Sequence, residues 1–531
     1  MKARYIMAAV MLSGALAATA QETYENARLS TEDLDGTARY VGMGGALEAL
    51  GADISTIGTN PAGIGLFRSS SANVSFGFTT QGDADKFAGE SPTKMSFDQA
   101  GFVYSSRVGR KSFLNFAFNY HKSRNFNYIL KAAGSMADGA SQNKVSYNKG
   151  ETAANEGWDF VTVNNDEVLS NDMAYSQVDY LYYNTILYNP LIDESGETYF
   201  YNYGADSYTM NRANTGYIGE YDFNISGNIN DRVYLGLTVG IHDVHYSAYS
   251  EYTEAFSSNE EGLGGVTLSD YRKITGTGVD IKAGIIFRPV ENSPFRVGLY
   301  FSTPTWYDLT TRNYTTLYVD DAETTADTYR GVSSLSIGES YEFKMYTPWK
   351  FGVSLGHTVG NCLAIGATYE YADYGNIDSR IDDAYDYGWD YFDESYSDEV
   401  MNHHTDMTLK GVSTLKIGLE YKPVTELAVR LGFNYISPMY EDYGSKDGYI
   451  ESVGNYYQSA TDYTNWDETY RVTAGLGLRA DKFSFDLAYQ YTQTDGTFYP
   501  FSDVLDDTNY AESSSVSNKR HQLIFTLGYS F

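Results

Sequence analysis

Seven histidines, a single cysteine and 69 acidic residues are the groups in this chain that could hold a metal, move a proton or attack a substrate. Their spacing argues against most of that chemistry. There is no His-Glu-x-x-His pair, and the one Gly-x-Ser-x-Gly match, Gly352 to Gly356, falls inside the alternating segment 340–356 rather than on a strand-to-helix elbow, so neither zinc-hydrolytic nor nucleophilic catalysis has a motif in context here. His403 and His404 are adjacent and would point to opposite faces of a strand, which makes a poor haem or metal pair. His242 and His245 flank an expected strand end, and His521 falls on the last strand. Cys362 has no partner for an internal disulfide. The acidic run "DDAYDYGWDYFDESYSDE" (382–399) lacks the regular ligand spacing of a calcium loop and reads as a solvated loop. "GMGGAL" (42–47) carries part of a dinucleotide-binding glycine pattern, but Leu47 stands where the third glycine belongs. We therefore assign no catalytic residue, no metal ligand and no cofactor. The net charge of −32 also excludes backbone-driven nucleic-acid binding, which needs a basic footprint.

The elements that carry these residues are strands. Residues 1–20 read as an export signal: Lys2 and Arg4, a short apolar core, then Ala18-Thr19-Ala20 before Gln21. Beyond it no stretch reaches the length of a membrane helix, while tyrosine, suited to a membrane–water boundary, occurs 51 times. The last eleven residues, "HQLIFTLGYSF", set Leu523, Phe525, Leu527, Tyr529 and Phe531 on one face. Gln522, Thr526, Gly528 and Ser530 fall on the other, with Ile524 as the exception. Residues 427–435 and 483–491 alternate in the same way.

Fourteen such segments can be placed: 70–80, 98–107, 112–121, 217–229, 232–246, 268–288, 295–306, 340–356, 361–373, 407–421, 426–436, 468–479, 482–492 and 518–531. Short Gly/Pro/Asn/Asp turns alternate with long polar connections, notably 122–216. A β-sandwich has no reason to sort its loops by length, whereas an up-and-down membrane barrel does. The expectation is an all-β, 14-stranded antiparallel transmembrane barrel over 70–531 in a bacterial outer membrane.

Two pieces stand outside the strands. Residues 21–69 are too few and too small to make a core alone and are expected to pack within the lumen, with Ala46, Leu47 and Leu50 in a short helix. The 122–216 connection includes 125–140, expected to hold a helical turn or two, and the apolar run 176–193. Two readings of that run stand: Tyr180, Leu181, Tyr182, Tyr183, Ile186, Leu187 and Leu191 are exposed and capture a ligand, or they fold over the barrel mouth and bury themselves.

The stretch "ARYVGMGGALEALGADISTIGTNPAGIGLF" (38–67), followed by about fourteen strands ending in Phe531, resembles the FadL-type outer-membrane transporters of long-chain fatty acids and hydrocarbons. Asn60-Pro61-Ala62 corresponds to the Asn-Pro-Ala of that family's hatch, and "YTPWKFGVSLGH" (346–357) to a family strand with Pro and Trp near its start. The resemblance implies passive uptake of a hydrophobic small molecule, with Asn60, Pro61, Ala62 and Gly63 in the hatch turn. Phe525, Leu527, Tyr529 and Phe531 resemble the signal read by the barrel assembly machinery. Expected partners are that machinery, outer-membrane lipid and lipopolysaccharide, and the ligand, around a monomer. A haem receptor on the same fold, a general porin and a surface-adhesion barrel are the alternatives.

Overall fold

The computed structural model describes residues 21–155, 162–163, 167–168, 175–192, 198–257, 262–325, 331–383 and 394–531. The expected export signal and most of the acidic run lie outside them. Alternating sequence becomes one closed antiparallel cylinder. Its first strands are β1 (Ser71–Gln81), β2 (Thr93–Arg107) and β3 (Phe113–Asn125, continuing as Tyr128–Ser135). Three long strands follow: β4 (Ala205–Ile229), β5 (Val233–Phe256) and β6 (Gly265–Phe287). Next come three interrupted strands: β7 (Arg296–Ser302 and Trp306–Asp320), β8 (Ser334–Tyr346 and Lys350–Val359) and β9 (Leu363–Asp373 and Asp378–Asp383). The circuit is completed by β10 (Gly411–Val424), β11 (Leu427–Ile436), β12 (Tyr463–Ala480), β13 (Phe483–Tyr499) and β14 (Ser514–Ser530). β14 pairs back onto β1 from Ser71↔Ser530 to Gln81↔Arg520, so the sheet has no free edge. Each of the fourteen expected segments falls on one of these strands.

The two faces sort as the alternation demands. Leu431, Phe485, Phe525 and Leu527 are exposed on the outer wall, while Arg430, Asn434, Gln522 and Thr526 are buried inward. Ile524, the exception to the alternation, faces inward and joins one buried cluster with Leu34, Val41 and Met43 of the luminal segment. Prolines interrupt β7 at Pro304 and β8 at Pro348, because neither has an N–H for the ladder. Threonine hydroxyls fill the break: Thr303 Oγ1 accepts from Ile281 N at 3.0 Å, and Thr347 Oγ1 from Thr305 N at 2.8 Å.

Several expected loops are strand. β4, β5, β7, β8 and β13 run on past their expected ends, and 125–140 is mostly the second half of β3 rather than helix. Outside lipid the outer face turns polar while the inner face packs under the mouth helices, so the apolar-outward alternation that marks the band disappears. His242 and His245 accordingly lie within β5 rather than at its end, and His403-His404 lie on a helix, Glu399–Thr408.

The β2–β3 ladder stops at Gln99↔His121. Beyond it β3 bulges between Lys122 and Arg124, breaks at 126–127, and swings over the tips of β1 and β2. There Gln81 bonds both backbone groups of Ile129, and Met136 bridges to Ala511 next to β14.

Residues 21–66 lie inside the cylinder as two short helices, α1 (Thr23–Ser30) and α2 (Ala38–Gly42), and two 3-10 turns, Ile54–Gly58 and Pro61–Leu66. Each is capped by a side chain, from Glu22, Thr37, Asp53 and Asn60 in turn, as a buried helix start requires. The expected helix through Ala46 and Leu47 is instead a run of turns, because Gly44 and Gly45 take φ of 64° and 81°. At the long-loop end sit α3 (Gln142–Asn155), α4 (Gln177–Asn184), α5 (Glu399–Thr408) and α6 (Val453–Tyr456).

Candidate functional site: a charged cavity above a luminal segment

Small residues on the wall let the luminal backbone lie against it. Gly356, Gly366, Gly418 and Gly432 form one continuous cross-strand row over β8, β9, β10 and β11. All four face inward, where a Cβ would meet residues 43–50: Leu50 at Gly356, Ala46 at Gly366, Met43 at Gly418 and Gly44 at Gly432. A second pair, Gly236↔Gly284 on β5 and β6, receives Pro61 and Asn60. Sequence reading missed these rows, since inward glycines on separate strands reveal themselves only once register is known.

Polar ties fix the segment between the rows. Glu48 is fully buried and accepts from Thr368 Oγ1 at 2.7 Å, Lys416 Nζ at 3.1 Å and Tyr40 Oη at 3.2 Å. Arg39 reaches Glu420 at 3.2 Å, which also holds Arg430 at 2.7 Å. Arg296 donates to the Leu50 carbonyl at 2.7 Å, and Asn115 to that of Ile64 at 2.7 Å. Asn60, Pro61, Ala62 and Gly63 are all buried; Asn60 Oδ1 accepts from Ala62 N at 3.1 Å. Glu48→Ala would strip Lys416, itself buried, of a principal partner, at a cost of about 3–5 kcal/mol to docking of the segment. The expected result is much faster proteolysis between residues 21 and 66, with the barrel retaining its heat-modifiable gel mobility; Glu48→Gln should cost less.

Above the segment lies a cavity of about 330 Å3, at the lower end of the range for small-molecule sites. One part of its wall is aromatic, with Tyr24, Phe126, Tyr246, Tyr440, Tyr463 and Trp466. Another part is cationic. Arg124 of β3, Arg471 of β12 and Arg520 of β14 converge on Asp33 of the luminal segment at 3.3, 3.5 and 3.4 Å. The Asn125 N–H adds a bond of 2.9 Å to the same carboxylate. Burial opposes the charge on Asp33, but Arg124, Arg520, Arg471 and this N–H outweigh it and hold the carboxyl at about 2. Asp35, two residues on, goes the other way. Burial and then Asp98 of β2 push it well above the usual carboxylate range. Asp98 is the first β2 residue beyond the last β2–β3 pair, buried, with neither carboxylate oxygen hydrogen-bonded.

The apolar run at the mouth packs inward. Leu181, Tyr182, Ile186 and Leu187 are buried among Tyr203, Tyr252, Phe256, Leu317 and Phe498. Tyr180 and Tyr183 are half-buried, and the Leu191 side chain lies outside the described residues. Lys149 of α3 and Asp179 of α4, paired at 2.7 Å, tie the two mouth helices together. His404 of α5 pins the start of the luminal segment, with Nδ1 2.9 Å from Thr23 Oγ1. The terminal residues Phe525, Leu527, Tyr529 and Phe531 line the outer face of β14 and the residue after it.

No family model matches the chain, and no curated protein matches it. Among solved structures it is similar to a FadL homologue of Pseudomonas aeruginosa: 12% identity, 94% of this chain and 100% of that chain, TM-score 0.52. It is also similar to the toluene transporter TbuX of Ralstonia pickettii (12% identity, 94% and 99% covered, TM-score 0.45). A third is the toluene transporter TodX of Pseudomonas putida (11% identity, 94% and 99% covered, TM-score 0.44). The first of these shows a shared fold, that of a FadL-type barrel. With a closed sheet and an apolar exterior, the chain is an outer-membrane β-barrel.

Proposed function

We propose that the barrel admits hydrophobic small molecules passively across the outer membrane, long-chain fatty acids foremost. The observation that carries this reading is the 330 Å3 cavity, part aromatic and part cationic, lined by the luminal segment and, toward the long-loop end, by Lys446, Gly454, Gln458 and Ser459. A fatty acid would set its carboxylate among Arg124, Arg471 and Arg520 and its chain along Phe126, Tyr246 and Trp466. A general porin would keep its lumen open, whereas this one is filled by residues 21–66. The run from Tyr180 to Leu191 then acts as a lid whose opening exposes its apolar side to ligand. The turn Asn60–Gly63 acts as the hatch, and the parting of β2 from β3 as the sideways exit. The aromatic end of β14 serves as the assembly signal.

The test is uptake of radiolabelled oleate by cells lacking the gene and by the same cells expressing the wild type, Pro61→Ala or a deletion of 40–62. Wild-type expression is expected to restore uptake, and Pro61→Ala to slow it severalfold by loosening the turn. Equal uptake with and without the protein would end the fatty-acid reading.

A further inference from the structure

On the inner wall of β3 to β6, away from the arginine site, titratable side chains stand in two adjacent rows. His121, Glu220 and His242 occupy directly paired positions on β3, β4 and β5. In the next row Asp222 and Asp280 flank Gly240, and the missing side chain there leaves room for the Lys282 ammonium. Lys282 takes one oxygen from each carboxylate: Glu220 Oε1, Asp280 Oδ1 at 2.8 Å and Asp222 Oδ1 at 3.5 Å.

The second oxygens all turn toward the imidazoles. Glu220 Oε2 lies 3.5 Å from His121 Nε2 and 3.9 Å from His242 Nδ1. Asp222 Oδ2 is 3.4 Å from His121 Nδ1, and Asp280 Oδ2 is 3.2 Å from His242 Nε2. Asp222 Oδ2 and His242 Nε2 are buried without any hydrogen bond. The two shorter separations, His121 Nδ1 to Asp222 and His242 Nε2 to Asp280, match edges of a coordination polyhedron: ligands about 2.1 Å from one ion lie roughly 3.0–3.4 Å apart. Two triads, His121–Glu220–Asp222 and Glu220–His242–Asp280, keep their donor atoms within 4.8 Å of one another. Three carboxylates against one ammonium leave two negative charges in a buried site, which a divalent cation balances with both imidazoles neutral.

We propose that this cluster binds one first-row divalent transition-metal ion of the zinc or copper kind, held through Glu220, the residue common to both triads. Imidazole nitrogen beside carboxylate selects such ions over magnesium or calcium. The main cavity reaches His121 and Glu220, and a smaller one reaches His242 and Asp280, so an ion has a way in. The ion would tie neighbouring strands of the wall together beside the luminal segment, where Gly58 packs on His121.

The experiment uses untagged full-length barrel in detergent, stripped with EDTA, reloaded with zinc and passed over a desalting column. The proposal expects one zinc per chain by elemental analysis and at least about tenfold weaker retention in the His121→Gln/His242→Gln variant. Loss of all zinc from the wild type, or equal retention by the variant, overturns it. Should the variant fail to fold, copper-loaded wild type with 15N-labelled histidine decides. Nitrogen hyperfine coupling in its electron paramagnetic resonance spectrum supports the site, and an all-oxygen spectrum overturns it.

Discussion

Barrels carrying valine at both Gly418 and Gly432 are expected to conduct ions about tenfold or more above wild type in planar bilayers, because the luminal segment can no longer seat. The two glycines are directly paired across β10 and β11, and the Met43 carbonyl and Gly44 amide rest on them. Added methyl groups would meet backbone, which cannot turn aside as a flexible side chain can. Gly44 has φ of 64° and bends the chain at this point, so it has no slack to retreat. The segment must lift, taking Glu48 from Lys416 and Arg39 from Glu420. The wall itself should survive, since its ladders and apolar exterior are untouched, and heat-modifiable mobility would confirm this. Gly227→Val is the control: a Cβ there meets nothing within 4 Å, and conductance should stay at the wild-type level. Unchanged conductance in the double variant would mean that the segment is not what closes the lumen.

The barrel was legible in the sequence because lipid imposes one rule on every strand. Wherever Leu431 or Phe485 faces lipid, its neighbours Arg430 and Asp486 must face in, and a period of two follows. The rule lapses outside the membrane. There β5 continues through Tyr252 and β7 through Leu317, which are buried under the mouth helices, and the pattern reads as loop. Asn60-Pro61 was legible as a turn for its own chemistry, since Asn caps and Pro fixes its angle. The site was not. Asp33, Arg124, Arg471 and Arg520 come from distant parts of the chain, and only the cylinder brings them together. His121 and His242 likewise meet through Glu220, across registers that no local window contains.

Asp33→Ala is expected to tighten oleate binding by roughly ten- to a hundredfold, about 1.4–2.8 kcal/mol, while leaving the affinity for a neutral alkane of equal length unchanged. Among the described residues no other carboxylate comes within ion-pairing distance of Arg124, Arg471 or Arg520, so Asp33 fills the position a ligand's head would take. In the wild type an incoming carboxylate must displace it, and the exchange returns little net free energy. Without Asp33 three partly or wholly buried guanidiniums lack a counter-ion, a cost of several kcal/mol that a bound carboxylate relieves. Arg471→Leu should do the reverse, weakening oleate by about tenfold with the alkane again unaffected. Isothermal titration in detergent reads both. Because Asp33 belongs to the luminal segment, its release is also the step that would couple a captured anion to movement of Asn60–Gly63 below. A spin label at Ser30 should therefore gain mobility with oleate and not with alkane. Equal affinities for oleate in wild type and Asp33→Ala would show that the three arginines serve the fold rather than the ligand.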